Sequence, residues 1–140
     1  VVASDSHYQA KGLPEDVLRR PTRTITGMRE YERSKLANVV FAQELARREG
    51  GVAVHALHPG VIASDIWRRI PNPVRGLMTR RMGTVEEGAR TSLWCATSDD
   101  LVGSTGGYHS DCAAKDPSPL ATPELGVWLW ERSEEWTASA

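Results

Sequence analysis

No stretch of the chain holds the roughly 20 consecutive apolar residues that a bilayer crossing requires, so no membrane span is expected within it. Cysteine is scarce. Cys95 and Cys112 are too few for a disulfide scaffold and too widely spaced for a metal knuckle, and free thiols are the expectation. An excess of either charge is missing too. Lys and Arg number 17 against 18 Asp and Glu, a formal net charge of -1, mixed along the chain, so no long-range field draws DNA or RNA and no nucleic-acid partner is expected. His7, His55, His58 and His109 form no ligand spacing with each other, with Cys or with carboxylates, and no metal is expected. Val1-Val2-Ala3 reads as the tail of an apolar strand with no Met or leader before it, so the segment is expected to open in mid-structure.

What is present is an ordinary globular composition, 40% hydrophobic and 25% charged over 140 residues, which fits one core. Residues 1–4 predict a strand end. A polar connection with Gly12, Pro14, Pro21 and Gly27 follows, with a short helix over 14–18. Residues 30–49 carry Leu36, Val39, Val40, Ala42, Leu45 and Ala46 at helical spacing without Gly or Pro, the firmest helix signal in the chain. Gly50-Gly51 stops that helix, and residues 52–57 predict a strand that ends at His58-Pro59-Gly60 and is buried on both faces. Residues 61–83 are expected to form a flap. Thr84 and Glu87 form a capping-box pattern ahead of a helix that continues through Ala89, Leu93 and Ala96 to about residue 97. A last strand over 101–109, weakened by Gly106-Gly107, a Pro-rich loop over 111–123 and a helix over 122–136 capped by Thr122 complete the order. The alternation predicts an α/β layered fold with a parallel sheet.

Three features could carry chemistry. Tyr31 and Lys35 are four residues apart, so their side chains leave the same face of one helix. A free Tyr hydroxyl titrates near about 10, and a neighbouring ammonium stabilises its phenolate, so the pair is a workable proton-transfer device. It is equally compatible with a Tyr lying across a helix surface beside a solvated Lys. Ser4, at a strand end, could donate to a substrate carbonyl oxygen, or simply serve a turn. Pro59-Gly60 would reach the same crevice if the strands are parallel, Gly60 permitting close approach by a flat ring. Nearby, the backbone groups of Val61 and Ile62 and the hydroxyl of Ser64 could meet an amide or phosphate, and the bland alternative is a plain turn.

Taken together, Tyr31-Glu32-Arg33-Ser34-Lys35, Val2-Ala3-Ser4-Asp5-Ser6-His7 and His58-Pro59-Gly60-Val61-Ile62-Ala63-Ser64-Asp65 resemble, in order and separation, the short-chain dehydrogenase/reductase family. Ser34-Lys35-Leu36-Ala37-Asn38 is similar to its retinol-dehydrogenase-like branch, and residues 106–133 resemble its WW-domain-containing oxidoreductases. The resemblance covers essentially the whole chain. It implies the carboxyl-terminal part of a Rossmann-like, doubly wound parallel sheet in a three-layer α/β/α fold, with residues 1–140 a partial catalytic domain whose dinucleotide-binding half is missing. It implies Tyr31 as general acid/base and Lys35 as its activator and a ligand of the nicotinamide ribose. Ser4 becomes the carbonyl-polarising residue, and Pro59, Gly60, Val61, Ile62 and Ser64 become contacts to NAD or NADP. The implied reaction moves a hydride between that cofactor and a small apolar alcohol or carbonyl compound, retinoid- or steroid-like, in a cytoplasmic protein that forms a homodimer or meets regulatory protein partners.

The sequence departs from the family in holding no Gly-rich dinucleotide turn and no Asn-Asn-Ala-Gly stretch, and in placing Ser64 where Thr is usual. Arg68-Arg69 and Arg80-Arg81 read as solvated, and Ile66, Trp67, Leu77 and Met78 as either pocket lining or flap packing. Two other readings stay open: a dehydrogenase-like scaffold kept for protein interaction, and a truncated product without a function of its own.

Overall fold

A computed structural model describes residues 1–22, 25–61 and 83–138. The helical periodicity is realised as α2, Met28–Arg48, preceded by a single turn, α1, Glu15–Leu18. Leu36, Val39 and Val40 are fully buried along α2, each worth about 1.5–3 kcal/mol over an exposed position. Gly27 begins this helix at φ 66, a left-handed conformation that costs a glycine nothing. After the Gly50-Gly51 break, β1 spans Ala56–His58. It is shorter than the predicted 52–57. At Val54 a loop hydroxyl, Thr105 Oγ1, accepts from the backbone N–H at 2.9 Å, while the Val54 carbonyl accepts from the Gly106 amide at 2.7 Å and from Thr105 Oγ1 at 3.3 Å.

Thr84 caps α3, Val85–Thr97, with both bonds of the expected capping box: the Glu87 amide donates to Thr84 Oγ1, and the Glu87 carboxylate accepts from the Thr84 amide. The face expected to pack is not the one that does. Leu93 and Ala96 are exposed, and Gly88 and Thr91 are buried, because α3 meets the sheet through Thr91 and Trp94.

Strand β2, Tyr108–Ser110, runs parallel to β1 with Ala56 opposite Tyr108 and Leu57 opposite His109. Residues 1–3 lie parallel on the other side of β1, through a bridge between Val2 and Leu57. The fully parallel sheet implied by the resemblance is corrected by β3, Ala113–Lys115, which pairs antiparallel with β2 inside the stretch expected to be loop. The reversal is made by Asp111 and Cys112, both at positive φ (54 and 55). Two consecutive left-handed residues match the twist of the flanking strands, but an Asp-Cys pair lacks the usual glycine signature.

Side chains alternate across a strand, which assigns the layers. Ala56 and Tyr108 share one face and pack with Ala3, Val54 and, from α2, Val39, Ala42 and Ala46. The next residue along β2, His109, faces the other way against Trp94 of α3, ring centroids 5.3 Å apart. The sheet is therefore covered by α2 on one side and α3 on the other, an α/β/α layering. Helix α4, Pro123–Ala138, lies against α2, with Leu129 joining Leu36, Val40, Ala10 and Leu13. It is capped as expected, the Leu125 amide donating to Thr122 Oγ1 at 3.3 Å. A Cβ at Gly126 would sit 3.3 Å from Glu44 Cβ, so the two helices touch nearly backbone to backbone there.

Glu44 is buried in this contact, which a helical pattern of apolar residues does not announce. Arg47 donates to it through Nε at 2.9 Å and Nη2 at 2.6 Å, and Arg48 through Nε at 2.5 Å. The Arg47 hydrogen bonds chiefly, then those of Arg48, outweigh burial and hold its carboxyl at about 2.

Candidate active site

Ser4 ends the extended segment beside β1. Continuing the Val2–Leu57 register sets Ser4 level with Pro59, so both turns leave the sheet at one edge, the carboxyl end of parallel strands. Helix α2 runs alongside. Lys35 Nζ lies 3.5 Å from the Val2 carbonyl, two residues before Ser4, and Asn38 Nδ2 donates to the same carbonyl at 3.0 Å. Tyr31, one turn earlier, places its ring 5.4 Å from Lys35 Nζ. Both side chains are half-buried. An ammonium held by one long hydrogen bond keeps further N–H groups for another acceptor.

The Ser4 hydroxyl has local duties. Its oxygen accepts from the Ser6 amide at 3.2 Å, capping a 3-10 turn over Asp5–Gln9, and it donates to Ser6 Oγ at 3.2 Å. The turn reading of Ser4 is thus realised in the structure, and a hydroxyl can keep accepting at the cap while it redirects its proton. Gly60 has φ 90, and among the described residues no atom lies within 4 Å of where a Cβ would be. Val61 is exposed, and its carbonyl accepts from the Gly83 amide at 2.9 Å. Ile62 and Ser64 lie outside the described residues, as do Ile66, Trp67, Arg68-Arg69, Leu77, Met78 and Arg80-Arg81.

Beneath Ser4 is a polar network that sequence reasoning missed. His7 is fully buried; its Nδ1 is 2.7 Å from the Ser4 carbonyl, and its Nε2 is 3.0 Å from the Ser118 amide. A carbonyl only accepts and an amide N–H only donates, so His7 is neutral with its proton on Nδ1. Burial lowers its pKa, against the raising effects of the Ser4 hydrogen bond and the Asp5 charge. Tyr108 packs edge-on against His7, centroids 4.6 Å apart, and donates its hydroxyl to Asp5 Oδ1 at 2.7 Å. The second Asp5 oxygen faces His58 Nε2 at 3.8 Å. A separate pair, His55 Nδ1 and His109 Nε2, meets at 3.0 Å on the α3 side, and a Cβ at Gly107 would come within 2.7 Å of that His109 nitrogen. Four histidines scattered in sequence gave no sign of these partners, since apart from the His7–Ser4 contact each pairing spans strand ends or loops far apart along the chain. Among the described residues no three His, Cys, Asp or Glu side chains form a metal-holding group, no helix is long and apolar enough to cross a membrane, and both cysteines are free.

No family model matches the chain. It is 34% identical over 148 residues to the WW domain-containing oxidoreductase of Drosophila melanogaster, covering 99% of this chain and 36% of that protein. It is 40% identical over 141 residues to human retinol dehydrogenase 12, covering 96% of this chain and 43% of the relative. The chain thus spans less than half the length of these curated relatives. An uncharacterised protein from Mycobacterium paratuberculosis, known from its crystal structure, shares the fold at TM-score 0.68 and 23% identity, over 98% of this chain and 48% of its own. The chain belongs to the short-chain dehydrogenase/reductase family. Within it, the similarity lies with the WW-domain-containing oxidoreductase and retinol dehydrogenase branch.

Proposed function

We propose that this chain is the catalytic portion of an NAD- or NADP-dependent oxidoreductase acting on an apolar carbonyl/alcohol pair, in a polypeptide that also carries a Rossmann-like dinucleotide-binding half. The observation that carries the reading is the placement of Tyr31 and Lys35 on one face of α2 beside the strand end where Ser4 and Pro59 leave the sheet level with each other. The residues fit a nicotinamide nucleotide: Lys35 has N–H groups to spare for ribose hydroxyls, and among the described residues Gly60 offers room where a side chain would stand.

When bound, the nicotinamide supplies or accepts the hydride. Ser4 donates a hydrogen bond to the substrate oxygen and holds it beside the Tyr31 hydroxyl. Tyr31 gives that oxygen its proton in reduction and takes it in oxidation, and the Lys35 ammonium, one turn along the same helix face, offers its N–H groups to the cofactor ribose. The family resemblance adds Ile62 and Ser64 to the cofactor contacts proposed for Pro59, Gly60 and Val61.

The test is made in the longer polypeptide. NADH and NADPH are titrated by fluorescence, and turnover is followed with retinoid and steroid aldehydes or ketones. Tyr31→Phe should lower kcat by about 10²-fold or more while dinucleotide affinity is kept, the size of loss general acid–base catalysis accounts for. Failure to bind either dinucleotide defeats the reading. Binding without turnover, unchanged by Tyr31→Phe, would point instead to a scaffold for protein partners.

A further inference from the structure

Asp5 opens the turn that Ser4 caps, and its two carboxylate oxygens address two strands. Oδ1 accepts the Tyr108 hydroxyl at the start of β2, at 2.7 Å, and Oδ2 faces His58 Nε2 at the end of β1, at 3.8 Å. Tyr108 is 2% exposed, so its hydroxyl has no water to turn to. Burial first, then the hydrogen bond and charge of Asp5, raise its pKa far above the ordinary tyrosine value, and it stays a donor at any working pH.

Asp5 itself has a side chain 44% exposed. Its charge therefore keeps access to water while Oδ1 satisfies the buried phenol, and that one hydrogen bond ties the turn to β2 across 103 residues of chain. What the contact does fix is direction. Ser4 sits in the last extended position before the turn, its φ and ψ at -168 and 152. The path the chain takes next decides where its hydroxyl points. His7 grips the Ser4 carbonyl from one side, and Asp5 pins the first residue of the turn to β2 from the other.

We propose that Asp5 is a positioning residue for Ser4, with Tyr108 as its fixed donor. The inference rests on the enzymatic reading of Ser4. It requires that loss of the Asp5–Tyr108 bond displace the Ser4 hydroxyl from the substrate oxygen while leaving the dinucleotide contacts of Lys35 and Gly60 in place. A misplacement on the order of 1 Å at a reacting group costs up to about 10²-fold in rate.

The experiment uses the longer polypeptide, with turnover and dinucleotide affinity measured for wild type, Asp5→Ala, Asp5→Asn, Tyr108→Phe, Ser4→Ala and the Ser4→Ala/Asp5→Ala double variant. Asp5→Ala and Tyr108→Phe should each lower kcat about tenfold or more, with the dinucleotide dissociation constant within about twofold of wild type. Asp5→Asn, whose amide oxygen still accepts from Tyr108, should restore kcat to within about threefold. The double variant should be no slower than Ser4→Ala alone, since a residue that acts through Ser4 has nothing left to position. If Asp5→Ala does not fold, Asp5→Asn set against Tyr108→Phe decides the same question. Losses that multiply in the double variant, or an Asp5→Ala enzyme as fast as wild type, overturn the positioning role while leaving the enzyme reading intact. A wild type that neither binds dinucleotide nor turns over removes both.

Discussion

Acidifying the chain from about pH 8 to about pH 5.5 tests the buried histidines directly. His7, His55 and His109 are 0%, 8% and 2% exposed, and burial is the leading cause that lowers each below the ordinary value of 6.5. An unfolded chain takes a proton on each as pH falls through 6.5, and the folded chain refuses it. Their contribution to stability is therefore complete above 6.5 and is lost progressively as pH falls below it. For each proton the folded chain takes less readily, the slope cannot exceed about 1.4 kcal/mol per pH unit, so the three together set a ceiling of about 4 kcal/mol per unit, against the roughly 5–15 kcal/mol that holds an ordinary domain folded. His7 is the clearest case: a proton on Nε2 would face the Ser118 N–H at 3.0 Å, donor against donor. Urea unfolding followed by tryptophan fluorescence at a series of pH values measures the slope, and His7→Gln should remove about a third of it if the three contribute equally. The His7 Cε1 proton resonance should meanwhile titrate with a midpoint below 6.5. A midpoint that does not move over this range, or a His7→Gln chain with the wild-type slope, refutes the reasoning.

Gly107→Ala should destabilise by about 1–3 kcal/mol, the ordinary cost of overpacking, because the new methyl meets His109 Nε2 at 2.7 Å and His55 Nδ1 at 3.3 Å; thermal melts of Gly107→Ala with and without His55→Ala should show the second change relieving the first. Glu44→Gln should lower stability at neutral pH. With the Glu44 carboxyl at about 2 when folded against 4.5 otherwise, that deficit should shrink as pH falls through this interval and vanish below it, a comparison of acid-unfolding curves that fails if the two chains stay equally far apart.

How much was legible follows from the range over which each signal acts. Helix periodicity and caps are local, and α2, the Thr84 box and the Thr122 cap stand where the residues put them. The Tyr31–Lys35 pair was readable for the same reason, since four residues along a helix fix two side chains on one face. The parallel approach of Ser4 and Pro59 needed only the alternation of strands and helices. Most of what was missed depends on distant partners. Asp5, Tyr108 and His58 meet across 103 and 53 positions of chain, and no spacing rule links them. Glu44 is buried because α4 crosses over it at Gly126, and the Val54 N–H is taken by a loop hydroxyl rather than by a neighbouring strand. The reversal at Asp111-Cys112 escaped because it reaches left-handed geometry without glycine or asparagine.

That reversal also has a consequence for solubility. By folding Ala113–Lys115 back along β2, it covers the β2 edge with a strand of three residues, all exposed, the first two alanines and the last a lysine whose Nζ sits 3.8 Å from Asp111. A foreign strand approaching from that side meets a ladder too short to hold it and a charge where the next pair would form. The hairpin is a guard rail against edge-to-edge aggregation as much as a piece of the sheet.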